Sequence, residues 1–381
     1  MTSLQSEPFV INIGPQHPST HGVFRLRLTM DGEKITEADM VMGYLHRSME
    51  KLAEERTYTQ NIPFTDRTDY LSAMTGNLAY VLAVERLMEV EVPERAKWLR
   101  MIMAELQRIA SHAMAVGIFA NDTGAWQTPV MHMFRDREKI LDLFEMACGA
   151  RLTLNYMRIG GVSRDIPPEW IPQAKKLLKD LPKKFAEYED LLLTNEIIVA
   201  RSRGIGVLTP DQAIAHSVSG PMLRGSGVAW DIRKADPYAA YDKVDFDVAV
   251  GTNGDVYDRF VVRMAEMRQS LRILEQALEM MPEGPVHARL GAATVQPGGQ
   301  SIAPLAYRPP VGEAYARIES PRGEIGYYIV SDGSPAPFRF HIRSPSFINL
   351  TPLALMTVGS TVADAVVILG SVDIVVGEVD R

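Results

Sequence analysis

The chain of 381 residues reads as an α+β protein. A small N-terminal β element is followed by a central bundle of long helices and a C-terminal part mixing β and helix. Three observations predict this. Phe9-Val-Ile-Asn-Ile13 and Val23-Phe-Arg-Leu-Arg-Leu28 flank the tract GPQHPSTHG and have strand character, the second alternating apolar and basic residues. Four stretches between residues 66 and 193 repeat apolar residues at helical spacing and are joined by short links. Towards the end, Ile325–Val330 and Phe338–Ile342 flank Ser331-Asp-Gly-Ser as the arms of a hairpin. The expected segments are 1–47 (β element with its loop), 48–283 (bundle) and 284–381 (linker and mixed part).

Composition narrows the functional classes. Hydrophobic residues make up 46% and charged residues 23%, which suits a packed globular chain rather than a disordered one. Mean hydropathy is −0.05, and no run of about eighteen apolar residues occurs, so no bilayer span is expected. The N-terminus lacks the charged and apolar regions of a secretory signal. A net charge of −7 speaks against a nucleic-acid partner. The single cysteine, Cys148, excludes an intrachain disulfide and any thiolate-held cluster supplied by this chain alone.

In chain order, Pro15 and Pro18 stiffen the histidine tract, while Gly14 and Gly22 permit its turns. Asp31-Gly32 marks a tight turn before a strand over Ile35–Met42. From Ser48 the period becomes helical, with Met49, Leu52 and Ala53 on one side. A long helix is expected over Asp66–Val90, with Asp66 as its N-cap and an apolar face running from Leu71 to Met88. The next helix spans Glu94 to about Ile118. Glu105, Arg108 and His112 share one of its faces and read as a buried polar network. Gly117–Gly124 reads as a break containing Asp122. Further helices are expected over about Pro129–Met157, Pro168–Leu193 and Val256–Met281. Thr209-Pro-Asp-Gln212 is a capping-box start. Ser219–Gly227 reads as loop, Asp231–Val250 as loop and strand, Gly284–Pro310 as linker, and Leu353–Leu369 as short helix.

His17 and His21 lie on a stiff connector between strands, where a scaffold can present a reactive group. From the residues alone, a metal site, a proton donor and two ordinary loop histidines all remain open. Tyr80, among apolar neighbours on a helix, reads as a core tyrosine. Asp122 reads as a loop or cap residue, Arg47 and Arg67 as solvated or ion-paired cations, and Cys148 as a small apolar core residue.

A family resemblance alters the weight of these residues. GPQHPSTHG, GYLHRSMEK, RTYTQNIPFTDRTDY, LAYVLAVERL, ELQRIASH, FRDREKILDLFE, NYMRIGGV, RGEIGYYIVSDG, SPSFINL and the terminal GEVDR occur in one order across almost the whole chain. Together they resemble the D-subunit family of NADH-quinone oxidoreductase, respiratory complex I. The resemblance implies the fold of the nickel-iron hydrogenase large subunit, with the two CxxC metal-binding pairs missing and the vacated cleft serving as a quinone head-group site. It implies quinone as substrate, with His21 and Tyr80 as its ligands and Asp122 as the carboxylate paired with His21. It places Arg47 and Arg67 near a [4Fe-4S] cluster held by a partner. No prosthetic group is expected in this chain, with FMN and NADH bound elsewhere in the complex. The implied partners are the cluster-bearing B subunit, the C and I subunits and the membrane H subunit, on the cytoplasmic side of the cell membrane. One departure is Arg151-Leu152-Thr153-Leu154, where Thr153 stands in place of a histidine common in the family. Rival readings are the equivalent subunit of a ferredoxin-fed complex and a non-catalytic assembly scaffold. A metal-bearing hydrogenase subunit is opposed by the missing cysteines.

Quinone reduction takes two electrons and two protons. A phenol and an imidazole suit the task, since each can donate a hydrogen bond to a quinone oxygen and pass it a proton. A carboxylate beside an imidazole favours its cation and fixes which nitrogen carries the proton.

Overall fold

The computed structural model describes residues 7–125, 128–288, 290 and 307–381. Its N-terminal part holds β1 (Phe9–Ile13), the two-residue strands β2 (Gln16–His17) and β3 (Gly22–Val23), then β4 (Arg25–Asp31) and β5 (Lys34–Val41). β1, β4 and β5 form an antiparallel sheet in that order, with Ile13 opposite Leu26 and Leu26 opposite Met40. Alternation along β4 sends Leu26, Leu28 and Met30 inward, while Arg27 points outward. β2 and β3 pair across a 3-10 turn at Pro18–Thr20.

Helices follow: α1 (Met49–Glu54), α2 (Tyr58–Asp66), α3 (Ala73–Met88), α4 (Glu94–Asp122) and α5 (Thr128–Cys148). The small pair β6 (Met157–Arg158) and β7 (Gly161–Val162) leads to α6 (Trp170–Leu192) and α7 (Glu196–Ser202). Then come α8 (Pro210–Ala215), α9 (Pro221–Gly225), α10 (Ile232–Ala235) and α11 (Val256–Met280). At 29 residues, α4 is the axis of the bundle and packs on α5 and α11; it extends about 44 Å at the rise of an α-helix. The last part holds β8 (Gly312–Ser320), β9 (Gly323–Ser331) and β10 (Arg339–Arg343), an antiparallel sheet with β9 central. α12 (Pro345–Leu350), α13 (Leu353–Thr357), α14 (Val362–Val372) and α15 (Val376–Asp380) close the chain. Buried apolar side chains from the first sheet, the bundle and the last sheet form one contiguous core.

The α+β plan and the order of its parts agree with the sequence reading, and the differences have local causes. The helix expected over Asp66–Val90 is two helices. Asp66 is the last residue of α2, not an N-cap, and Arg67–Ser72 form a connector in which Asp69 Oδ1 accepts the Leu71 amide at 3.2 Å. Such local bonding competes with helix. Conversely, Gly117 does not break α4. It lets α5 approach closely, since a Cβ there would lie 3.1 Å from Val130 Cα, and Asp122 ends the helix. α5 stops at Cys148 rather than running to Met157, because Gly149 turns the chain with a φ of 79°. Ser219–Gly227 contains α9, and Asp231–Val250 holds α10 and a 3-10 turn at Tyr241–Lys243 where a strand was expected. The stretch Leu353–Leu369 is two helices separated near Gly359, and β8 is an added strand of the expected hairpin. Most of the Gly284–Pro310 tract lies outside the described residues.

Candidate functional site

The histidine tract is held from within. A Cβ on Gly14, whose φ is 84°, would lie 2.0 Å from the Phe24 carbonyl oxygen, so no side chain is tolerated there. The Ser19 amide donates to His17 Nδ1 at 3.2 Å, and Thr20 Oγ1 lies 2.7 Å from the His17 carbonyl and 2.8 Å from that of Gly22. His17 is thereby committed to the turn. His21 takes the left-handed conformation, φ 53° and ψ 35°, and its ring leaves the turn.

That ring meets Asp122: His21 Nε2 lies 2.6 Å from Asp122 Oδ2, with both side chains largely buried. The residues are 101 positions apart, and α4 is what delivers the carboxylate. A carboxylate at a helix C-terminus sits at the negative end of the dipole, so a partner able to carry positive charge is favoured there. Gly370 on α14 leaves room for the pair. A Cβ at that position would lie 3.1 Å from Asp122 Oδ2 and 3.7 Å from His21 Cε1. Among the described residues, no protein hydrogen bond engages His21 Nδ1.

Tyr80 is elsewhere. Its side chain is fully buried, its hydroxyl donates to the Tyr58 carbonyl at 2.8 Å, and its ring packs against Tyr327 and Phe340 at centroid distances of 5.8 and 5.7 Å. Burial raises its phenol well above the usual range. The structure therefore does not bring Tyr80 to His21, and the core reading of Tyr80, made from the residues alone, describes it correctly.

A different phenol stands beside the histidine tract. α15 is the link: Gly22 approaches Val376 so closely that a Cβ on it would lie 2.8 Å from Val376 Cγ2. On the next residue, Gly377, a Cβ would lie 3.4 Å from Tyr70 Cε1 and 3.2 Å from the Arg67 and Thr68 carbonyl oxygens. Tyr70 is half-buried. Burial raises its phenol first, with Arg322 and Arg47 pulling down and Asp69 pushing up. Sequence reading missed Tyr70 because it placed the residue inside a continuous helix. The available signal was the TDRTD run before it, whose short polar side chains favour turns.

Arg47 and Arg67 are brought together: Arg47 Nη2 donates to the Arg67 carbonyl at 3.1 Å, and both side chains reach the surface. Arg67 also lies 3.5 Å from Asp66 and donates to the Pro63 carbonyl at 2.9 Å. Beneath this rim runs a buried ionic cluster in which Arg322 pairs with Asp69 at 2.8 Å and with Asp373 at 3.4 Å. The expected Glu105, Arg108 and His112 network is present and wholly buried. Glu105 also receives Arg233, Tyr241 and Ser270, and His112 meets Glu266 at 2.8 Å.

The imidazole–carboxylate pair thus lies against Gly370 of α14, while Gly22 of the same tract and the Tyr70 ring lie at adjacent residues of α15, and Arg47 and Arg67 meet at the surface. No cluster of three or more metal-ligating side chains occurs among the described residues, and no described helix is long and apolar enough to cross a membrane. The fold is that of the hydrogenase large-subunit type, so the class is a redox-complex subunit built on that scaffold. The model of the family described as respiratory-chain NADH dehydrogenase, 49 Kd subunit, matches residues 122–381. Relatives are similar over their full length. A D subunit of NADH-quinone oxidoreductase from Roseiflexus sp. (strain RS-1) is 56% identical over 99% of this chain and 100% of its own. The corresponding D subunit from Dehalococcoides mccartyi is 55% identical over 100% of both chains. One from Herpetosiphon aurantiacus is 57% identical over 99% of this chain and 100% of its own. The chain belongs to the D-subunit family of NADH-quinone oxidoreductase, a complex I component that works as part of an NADH:quinone oxidoreductase.

Proposed function

We propose that this chain forms one wall of the quinone head-group site of a proton-translocating complex I, with His21 and Tyr70 as donors to the two quinone oxygens. The observation that carries the reading is the 2.6 Å His21–Asp122 pair, in the tract whose Gly22 packs on Val376 of α15, next to the Gly377 that meets the half-buried Tyr70. Tyr70 takes the role that family resemblance alone assigned to Tyr80. Each donor strengthens its hydrogen bond as negative charge develops on the quinone oxygen it faces, and each can transfer a proton there.

The opposite wall and the electrons come from the cluster-bearing B subunit, whose [4Fe-4S] centre is fed from NADH through FMN elsewhere in the complex. Arg47 and Arg67 form a positive rim that favours arrival of negative charge. The exposed apolar side chains of Met42 and Tyr44 beside Arg47 suit a surface covered by another chain. The C, I and membrane H subunits complete the surroundings, and contact with the cytoplasmic side of the membrane runs through partners. When His21 gives up its proton, its attraction to Asp122 falls. That change moves the Gly14–Gly22 loop and starts coupling to proton translocation.

The test compares Tyr70→Phe with Tyr80→Phe in the assembled complex, measuring NADH:quinone activity against NADH oxidation by a soluble artificial acceptor. Tyr70→Phe is expected to lower quinone reduction on the order of 100-fold, with the artificial-acceptor rate unchanged, and Tyr80→Phe to leave both rates near normal. Full quinone activity in Tyr70→Phe would overturn the assignment.

A further inference from the structure

We infer that Arg259, on α11, is a positioning residue for the His21–Asp122 pair: it anchors the last turn of α14, the wall against which that pair is packed. The inference rests on the reading of the pair as part of the quinone site and adds to it what holds the pair in place.

α14 packs on the 3-10 turn of the histidine tract and on α4, whose last residue is Asp122. Gly370 is the point of closest approach. A Cβ there would lie 3.1 Å from Asp122 Oδ2 and 3.7 Å from His21 Cε1, so the backbone of this residue bounds the space in which the carboxylate can turn. If the end of α14 retreats, that space opens and the carboxylate gains rotamers that release His21.

The same turn is held from the side of α11 by arginines. Arg259 is fully buried, and its Nη1 donates to Ser371 Oγ at 3.0 Å. Its Nη2 meets the Gly206 carbonyl at 2.5 Å, the Gly254 carbonyl at 3.0 Å and Met356 Sδ at 3.2 Å. One planar guanidinium thus ties α14 to two loops and to α13, a spread that a point-like ammonium does not match. One helical turn further on, Arg263 Nη2 donates to the Val372 carbonyl at 3.3 Å, and Arg322 Nε donates to that of Asp373 at 3.0 Å. The Asp373 amide in turn donates to the Gly370 carbonyl at 3.3 Å, which closes the anchored turn on the residue that faces the pair. The Gly206 loop also meets this helix directly, since a Cβ on Gly206 would lie 2.7 Å from Ile368 Cγ1.

Ion pairing does not account for Arg259. The acids nearest to it in sequence are engaged with amides: Asp255 accepts from Gly204 and Asp258, and Asp258 accepts from Thr252 and Asn253. Arg263 and Arg322, by contrast, both face Asp373. A buried guanidinium that no carboxylate neutralises is costly, and what this one secures is the place of Ser371 and of the turn around it.

The experiment uses the intact complex in native membranes, with Ser371→Ala, Arg259→Met and Arg259→Lys. Ser371→Ala removes the acceptor and leaves the helix backbone as it is. It should lower the quinone reductase kcat roughly five- to tenfold, with the quinone KM, the subunit content and the artificial-acceptor rate unchanged. Arg259→Met should do the same, and Arg259→Lys should recover part of the kcat. A double variant separates positioning from general damage. Gly370→Ala crowds the Asp122 carboxylate, and a wall freed by Ser371→Ala can recede from it. The two substitutions together should therefore be no slower than Gly370→Ala alone, whereas independent effects would multiply. A normal kcat in Ser371→Ala, or multiplied losses in the double variant, would overturn the inference. If Arg259→Met does not assemble, Ser371→Ala and the double variant decide. Failure of the underlying quinone-site reading looks different, because His21→Ala would then retain full quinone activity whatever the Ser371 variants do.

Discussion

At the scale of single residues, the site depends on small clearances around one pair. Gly370→Ala would place a methyl 3.1 Å from Asp122 Oδ2, forcing the carboxylate away from His21. We expect a lowered quinone reductase rate with normal electron entry from NADH. Asp122→Asn keeps the shape but removes the charge on which the proposed coupling step depends. It should sustain quinone turnover while proton pumping, followed as acidification by vesicles, is lost; unchanged pumping would remove Asp122 from the coupling step. Asp66 gives a pH-dependent outcome. It is fully buried with one carboxylate oxygen unpartnered, and burial pushes it up to about 6 against the pull of Arg67. A folded-state value above the free carboxyl means that the native state holds a proton the unfolded chain has released. Stability from this group is therefore complete below about 4 and declines as pH rises through about 6. Asp66→Asn should flatten that part of the thermal stability profile.

Elements were legible in the sequence to the extent that local pattern decides them. Thr209 caps α8 through a box in which its hydroxyl accepts the Gln212 amide and Gln212 answers the Thr209 amide, as read from four residues. Long amphipathic helices such as α6 and α11 were also found within two residues of their ends. The connector at Arg67–Ser72 was not, because apolar residues continue at helical spacing on both sides while Asp69 turns the backbone. That error carried a functional cost, since it hid Tyr70 inside a helix. α15 packs on the same connector, where a Cβ on Gly377 would lie 3.2 Å from the Arg67 and Thr68 carbonyl oxygens. Gly377→Ala should push α15 off this ledge, lowering the quinone reductase rate with little change in the artificial-acceptor rate. Thr209→Ala, far along the chain from these contacts, should cost about 1 kcal/mol of stability and leave quinone activity intact.

Across the whole molecule, the parts are tied together by buried ions as well as by the apolar core. Arg322 joins the β8–β9 turn to the α2–α3 connector through Asp69 and to the end of α14 through Asp373. Arg224 similarly joins α9 to Glu266 on α11 and Glu319 on β8. Removing one partner of such a pair strands the other in a low-dielectric interior, at roughly 3–5 kcal/mol. Arg322→Ala should therefore prevent accumulation of assembled complex, judged by subunit content and artificial-acceptor activity, whereas Arg339→Ala, at an exposed pair with Glu54, should not.

By itself the sequence determined the α+β plan, the main helices, the missing thiolate ligands and the family, because periodicity, capping residues and residue types are local quantities. It also pointed to His21 and Asp122 through their motifs. The tertiary structure decided which groups meet: it joined His21 to Asp122 across 101 positions, sealed Tyr80 in an aromatic core and set Tyr70 against α15. Those outcomes follow from packing between distant segments and from the balance of buried charge, and neither is encoded in the spacing of residues along the chain.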